Sequence, residues 1–314
     1  MGKRAVLFVN THKKNAPDAA RQIQAELEKR SFSVTVYSFA GKPENLPQGE
    51  WDIAFSLGGD GTVLYTARCL APLGVPILPV NMGSLGFIAE VDRDDWLSTY
   101  EKWEKGGITV SKRCMLDISV ERGGKIIMKN ICLNDAVISA SGIAKLINLD
   151  VSINRGRSSA DSIVDNADDS IVDNAALGSY RCDGLIVATP TGSTAYSMAA
   201  GGPILDPEME AVILNPICPF ALSNRPFVLP SRLRVVITVP GQLRSGVLLT
   251  VDGQDTYDLK SADKIFIQQA AQSAKLIFAD RHTYYSALRS KLFWSGNLSE
   301  QAPSEQAPLE RTDA

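Results

Sequence analysis

The chain has 314 residues, of which 45% are hydrophobic and 21% charged, and a formal net charge of −3. That is the composition of a soluble globular protein long enough for two domains. It excludes a general nucleic-acid binder, which carries a basic excess, but not a nucleotide ligand held by a few placed donors. The first apolar run, residues 5–9, is too short for a signal peptide, and no stretch has the length of a transmembrane helix. No membrane partner is therefore expected. Five scattered cysteines without a CxxC pair argue against a disulfide framework or a zinc site, and for buried free thiols in a reducing cytoplasm. The two histidines, His12 and His282, lie near no nucleophile motif, so hydrolase triads are set aside. His12 reads as a solvated loop residue.

Residues 5–10 read as a buried strand and 17–30 as an amphipathic helix with Ala20, Ile23 and Leu27 on one face. Residues 33–38 alternate like a strand. Residues 52–57 form another strand, followed by a glycine-rich turn and a helix, and 75–80 form a further short strand. Strands alternating with helices predict a parallel sheet with helical crossovers up to about Gly107.

The texture then changes to short β-rich runs at 115–121, 125–128, 135–138, 149–153, 233–239, 247–251 and 264–267, which predict an antiparallel sandwich over 108–272. Residues 273–296 hold Lys275-Leu276-Ile277-Phe278 and a short helix near 284–292, and are expected to return to the first domain. Ser-Ile-Val-Asp-Asn-Ala occurs twice, at 162–167 and 170–175, within an insertion-like surface loop spanning 155–177. The polar, proline-bearing tail, 297–314, reads as disordered.

Two glycine-rich loops carry the first chemical signal. Gly58-Gly59-Asp60-Gly61-Thr62 follows a strand and opens a helix. Glycines there let the backbone turn tightly and approach a ligand, and free amides at a helix start hold phosphate oxygens. The motif is neither a Walker A loop nor a dinucleotide-binding GxGxxG. Its acid suggests a carboxylate that orients a hydroxyl and accepts its proton in phosphoryl transfer. A glycine-rich turn with an aspartate capping the helix is the structural alternative. Asn81-Met82-Gly83-Ser84-Leu85-Gly86-Phe87 follows the next strand and emerges on the same sheet edge, where open α/β sheets bind ligands.

The longest constellation runs from Asp183 to Pro203. A strand enters a small, hydroxyl-rich loop, Thr189 to Tyr196, and then a helix. Small residues let a flat ligand lie close, and Tyr196 offers a ring for a base. By themselves Asn134-Asp135 read as a turn or cap, and Asp252-Gly253 as a two-residue hairpin turn.

Together these motifs, in this order from Lys3 to about Trp294, resemble the NAD kinase family. The resemblance implies an α/β domain (1–107) and a β-sandwich NAD-binding domain (108–272). It implies ATP-dependent, magnesium-requiring phosphorylation of NAD at the adenosine 2′-hydroxyl, and a homodimer or homotetramer sharing site residues between subunits. Asp60 matches the catalytic acid, with Gly58, Gly59 and Thr62 in its phosphate loop. Gly61, Phe87, Asn134, Asp135, Thr194, Ala195, Tyr196, Ser197, Met198 and Ala199 match nucleotide-binding positions, and Lys145, Arg181, Asp183 and Gln254 more variable ones. Asp135 stands where glutamate is commoner, which shortens its reach by one methylene. Lipid kinases share the Gly-Gly-Asp-Gly-Thr turn but not the Thr191–Tyr196 loop, phosphofructokinases fit the β-rich half badly, and a non-catalytic NADP(H) sensor would lack the acid.

Overall fold

The computed structural model describes residues 2–41, 48–83, 86–142, 145–155, 175–221, 223–241, 245–278 and 281–292. The 156–174 stretch with its duplicated hexapeptide, and the 297–314 tail, lie outside them. The chain begins with β1 (Arg4–Asn10), α1 (Ala16–Lys29), β2 (Ser33–Phe39), β3 (Ile53–Gly58), α2 (Asp60–Leu70), β4 (Pro76–Asn81), α3 (Trp96–Glu104) and β5 (Ser111–Arg113). Strands β2-β1-β3-β4 pair in that order, all parallel.

Strand β1 is apolar from Ala5 to Val9 because both its faces are covered, as parallel sheets require. Ala5, Leu7 and Val9 pack with Ile23 and Leu27 of α1 and Tyr100 of α3. Val6 and Phe8 face the other way, onto Val63 and Ala67 of α2. Helix α1 buries Ala16, Ala19, Ala20, Ile23 and Leu27, a single stripe at helical spacing with proline in its first turn. Strand β2 lies at the sheet edge and is largely exposed.

The sheet does not stop at β4. A strand from the far end of the chain, Ala274–Leu276, pairs parallel to β4 and antiparallel to β5. The first sheet thus takes in Ser111–Arg113, beyond the change of texture at Gly107.

The second half holds β6 (Leu116–Arg122), β7 (Lys125–Cys132), β8 (Asp135–Ala140), β9 (Ile147–Arg155), β10 (Ala175–Cys182), β11 (Gly184–Ala188), α4 (Tyr196–Ala199), β12 (Ala211–Ile217), β13 (Phe227–Pro230), β14 (Leu233–Thr238), β15 (Val247–Val251), β16 (Asp255–Leu259) and β17 (Lys264–Gln269). The chain returns through β18 (Ala274–Leu276) to α5 (Arg281–Leu292). Among the described residues two antiparallel sheets form, in the orders β10-β9-β14-β17-β6-β7 and β13-β12-β11-β8-β15-β16. Their inner faces meet in one core. Ile118, Leu149, Val235, Ile237 and Ile265 come from one sheet, and Ile138, Leu185, Val187, Leu214, Leu249 and Val251 from the other. The observed architecture is an α/β domain followed by an all-β sandwich. Among the described residues no helix is long and apolar enough to cross a membrane.

Strands β10, β12 and β13 carry little alternation, and β16 alternates over only five residues. Strand β12 is buried on both faces: Val212 and Leu214 enter the sandwich core, while Ile213 packs on the outer side with Ile186 and Ala188. Strand β10 contains Gly178 at φ +132° and a register shift. The helix expected after the hydroxyl-rich loop is only a 3-10 turn, Thr191–Thr194, and the four residues of α4. Ala195, at φ −100° and ψ −130°, separates the two. The thiols are not all buried: Cys218 is exposed and Cys69 half-buried, while Cys114, Cys132 and Cys182 are buried, and all five are free.

One arginine joins the halves. Arg68 of α2 reaches the β15–β16 turn, donating from Nη1 to Asp255 Oδ2 at 2.6 Å and from Nη2 to Gln254 Oε1 at 2.8 Å. Its Nε lies 3.8 Å from Asp252 Oδ2. Gln254 Nε2 returns a bond to the Gly61 carbonyl at 2.8 Å. The arginine side chain is 9% exposed and that of Asp252 0%, so removing one charge strands the other in a poorly solvated site. Breaking such a pair costs about 3–5 kcal/mol. Arg68→Ala is expected to lower stability by about 3 kcal/mol in urea unfolding. A loss under about 1 kcal/mol would mean that the bridge does not hold the two halves together.

Candidate active site

The carboxyl ends of β1, β3 and β4 converge on one edge. Gly58 ends β3, and a Cβ there would lie 2.1 Å from Thr62 Oγ1, so only glycine lets α2 start so close to its strand. The Gly59 carbonyl accepts the N–H groups of Thr62 and Val63. Thr62 is buried, and its hydroxyl accepts from Asn10 Nδ2 at 3.3 Å, tying the end of β1 to the turn. Met82 N–H donates to the Gly58 carbonyl at 2.8 Å, joining the two loops.

Asp60 is the first residue of α2. Its carboxylate accepts three backbone N–H groups from the second loop: Phe87 on Oδ2 at 2.9 Å, Ile88 on Oδ1 at 3.2 Å and Ala89 on Oδ1 at 2.9 Å. Gly86 makes this docking possible, because a Cβ there would sit 1.8 Å from Asp60 Oδ1. Each carboxylate oxygen can accept two bonds, so Oδ2 keeps one acceptor site.

The next residue on that loop is Glu90, 7% exposed, with Oε1 buried and without a partner among the described residues. Burial pushes its pKa up to about 7, against the lowering pull of Arg113, with Asp60 adding repulsion.

A second cluster is built around Asp252. Asp252 and Gly253 take left-handed backbone, φ 50° and 65°, as a two-residue turn requires, and Gln254 N–H closes it on the Val251 carbonyl at 2.9 Å. The aspartate does more than turn the chain. Its buried carboxylate accepts the N–H groups of Leu133, Asn134 and Asp135 at 3.0, 2.7 and 3.2 Å. From the other side the 189–194 loop closes in: Thr189 N–H donates to the Asn134 carbonyl at 2.8 Å. A Cβ on Gly192 would lie 2.2 Å from that same oxygen. Between them opens a cavity of about 360 Å³ lined by Asn134, Asp135, Ala195, Tyr196, Thr250 and Asp252 among others.

Asp135 is 4% exposed. Burial, and secondly the neighbouring Asp252, push its pKa up to about 7. Burial raises Asp252 too, but the three amides and Arg68 favour its charged form. Asp135 has neither those amides nor the guanidinium to offset burial, so its carboxyl keeps its proton up to about pH 7 and can donate a hydrogen bond below that. Asn134 Oδ1 and Thr191 Oγ1 are buried with no partner among the described residues.

Other expected positions fall differently. Thr194 is buried, its hydroxyl donating to the Thr191 carbonyl at 3.3 Å, whereas Tyr196 is 48% exposed at the cavity rim. Ser197 is fully buried and accepts from Asn215 Nδ2 at 3.3 Å, so its side chain belongs to the core. Met198 is half-buried and Ala199 exposed. Gln254 spends its amide on Gly61 and Arg68.

Lys145, Arg181 and Asp183 are not brought to this cavity. Arg181 stacks over the Phe220 ring at 4.7 Å, and Asp183 donates its N–H to the Ile217 carbonyl. They lie where β8 ends and β11 begins, since Gly184 pairs with Ser139 and Ala188 with Asp135. That is the opposite end of the strands, roughly 17 Å away. His12 is an exposed loop residue. Arg68, Asp252 and Glu90, which the geometry makes central, gave no chemical signal in the sequence beyond the Asp-Gly turn.

Residues 43–108 match the ATP-NAD kinase N-terminal domain and 133–279 the ATP-NAD kinase C-terminal domain. The NAD kinase of Treponema denticola is 41% identical over 298 residues, covering 95% of this chain and 98% of that protein. The chain belongs to the NAD kinase family. The Geobacter sulfurreducens NAD kinase is 35% identical over 301 residues, covering 93% of this chain and 99% of its own. Among solved structures, yeast NADH kinase complexed with NADH has the same fold, with a TM-score of 0.77 and 21% identity over 96% of this chain and 90% of that one. The Archaeoglobus fulgidus NAD kinase in complex with ATP aligns at a TM-score of 0.66 and 23% identity, over 93% of this chain and 98% of its own.

The raised carboxyl of Asp135 gives a signed pH dependence. Its ordinary pKa is 3.8, and in the fold it is about 7. Below pH 4 it is protonated in both folded and unfolded chains and costs nothing. As pH rises the unfolded chain ionises first, so folding stability falls until about pH 7 and then levels. Asp135→Asn cannot ionise. The stability of the native chain minus that of the variant, from denaturant titrations at stepped pH, is expected to decline from pH 4 to 7. A pH-independent difference would refute the buried neutral carboxyl.

Proposed function

We propose that this chain transfers the terminal phosphoryl group of ATP to the 2′-hydroxyl of the adenosine ribose of NAD, giving NADP and ADP, with Asp60 as the catalytic acid/base. Kinship at 41% identity along nearly the whole chain supports the reaction. The observation that carries the role of Asp60 is its docking. Three amides fix the carboxylate at the junction of both glycine loops while Oδ2 retains an acceptor site. The 2′-hydroxyl would donate its hydrogen bond there. As its oxygen bonds to the terminal phosphorus, its proton passes to Asp60 and the bond to the ADP oxygen breaks.

NAD is assigned to the cleft between the second loop and the Asp252-held cluster. Gly61, Phe87, Asn134, Asp135 and the 194–199 segment border it, with Ala195 and Tyr196 beside the base. Asn134 Oδ1 and the neutral Asp135 carboxyl provide an unpartnered acceptor and a donor for the nucleoside. Ser197 acts through the core by fixing α4.

Magnesium neutralises phosphate charge in such a transfer. Among the described residues no three acidic, histidine or cysteine side chains converge to hold a metal ion, so the ion is assigned to the donor's own phosphates. We assign the enzyme to the cytoplasm, as a homodimer or homotetramer. The far position of Lys145, Arg181 and Asp183 suits residues lent to a neighbouring subunit's site. Sedimentation velocity is expected to show a dimer or tetramer, and a monomer at assay concentration would remove that assignment.

The deciding assay supplies NAD, ATP and magnesium and reads NADP through an NADP-specific dehydrogenase. The native protein is expected to form NADP. Asp60→Asn should keep dinucleotide binding while turnover falls by about 10²–10⁴, the usual worth of a positioned acid/base. Unchanged turnover would remove Asp60 from the chemistry. No NADP from the native protein, with ATP or polyphosphate, while NADP(H) still binds, would make the chain a sensor.

A further inference from the structure

Phosphoryl transfer gathers negative charge at a site that already holds the Asp60 carboxylate, so cations must face the donor. Two lysines from opposite ends of the chain stand on the second glycine loop. Lys13 follows β1, and its Nζ lies 3.3 Å from where a Cβ of Gly83 would be. Lys291 is in the last turn of α5, with Nζ 4.3 Å from the centroid of the Phe87 ring. The same Phe87 gives its N–H to Asp60 at 2.9 Å. Gly83 and Phe87 are four residues apart, at most about 14 Å of extended chain. The two ammonium groups therefore stand at Gly83 and at Phe87, close to the Asp60 carboxylate that Phe87 donates to.

Lys291 acts on the buried Glu90 carboxyl only from beyond ion-pair distance, lowering its pKa, and its ammonium rests on the Phe87 ring. Among the described residues no carboxylate forms an ion pair with either lysine, although Lys3, Lys29, Arg21, Arg30, Arg68 and Arg122 are all paired. Lys13 is exposed and Lys291 half-buried, so both can turn toward an incoming anion. Helix α5 is seated firmly enough to present its lysine: Tyr284, Ala287 and Leu288 are buried, and the Tyr284 hydroxyl donates to the Leu205 carbonyl at 3.2 Å. A lysine ammonium is a compact point charge on a flexible stem, suited to phosphate oxygens that shift during transfer.

We propose that Lys13, beside Gly83, and Lys291, beside Phe87, bind the polyphosphate chain of the phosphoryl donor. This rests on the assignment of a phosphoryl donor to the Asp60 edge. The lysines hold the donor's charge while Asp60 handles the acceptor hydroxyl, so donor and acceptor affinities should separate by mutation.

The test uses the full chain and the variants Lys13→Gln, Lys291→Gln, the double variant, Lys13→Arg, Lys291→Arg and, as a surface control, Lys125→Gln. Steady-state kinetics would vary ATP–magnesium and NAD independently. Each glutamine variant is expected to raise KM for ATP about tenfold and the double variant further, with KM for NAD within twofold. The arginine variants should recover most of the loss, and Lys125→Gln should match the native chain. Unchanged KM for ATP in the double variant, or an equal rise in KM for both substrates, would overturn the proposal. Direct titration of ATP–magnesium, without turnover, separates this from failure of the kinase reading. Weaker ATP binding by the double variant supports the lysines even in a preparation that forms no NADP, and equal binding refutes them. Repeating the series with inorganic polyphosphate as donor should show the same loss, because the recognised group is the phosphate chain.

Discussion

The Asp252 carboxylate is the interaction on which the site depends. It is buried, accepts three consecutive backbone N–H groups from 133–135, and lies beside the Arg68 guanidinium. A carboxylate so placed is costly to bury alone, and it is tolerable because amides and a cation replace the water it loses. The same residue makes the tight turn between β15 and β16, at positive φ. One side chain therefore sets the height of Asn134 and Asp135 over the cavity. Through Arg68 it also sets the distance from the sandwich to α2, whose first residue is Asp60.

Asp60 repeats the device on the other side of the cleft. It too is an aspartate caught by three consecutive amides, from 87–89, and it too needs a glycine at the approach. The two clusters differ in what they leave over. Asp252 spends its charge on structure and on Arg68, and it raises its neighbour Asp135. Asp60 keeps an acceptor site on Oδ2, which takes only the Phe87 amide. The carboxylates in these halves are thus sorted by surroundings: Asp252 is held by amides and a cation, Asp135 keeps its proton up to about pH 7, and Asp60 is fixed by three amides with one acceptor site left over.

The chain's ends are drawn into the same region. Strand β18 pairs with β4, and α5 then lays Lys291 over Phe87. The first sheet is completed by a strand that follows the sandwich in the chain, so β4 pairs with residues about two hundred positions away. That arrangement brings Lys13 after the first strand to Gly83, Asp60 of α2 to residues 87–89, and Lys291 of the last helix to Phe87.

By itself the sequence determined the elements whose physics is local. Apolar runs marked β1, β3 and β4, alternation marked β2, short β-rich runs between turns marked β6, β8, β14, β15 and β17, and the helical stripe of α1 was plain. The glycine turn beside an acid, and the hydroxyl-rich loop, marked the chemistry and the family. Strands β10, β12, β13 and β16 were not legible, because a bulge, burial on both faces or mere shortness removes alternation. Tertiary structure alone decided which acid does what. Asp252 read as a turn because its three amide partners lie over a hundred residues away, and Arg68 drew no reading because Gln254 and Asp255 are equally remote. Ser197 looked like its neighbours in a small polar loop, yet Asn215 turns it into the core. Local pattern fixes secondary structure through short-range sterics and periodicity. The charge state and aim of a buried side chain depend on partners that only folding brings near.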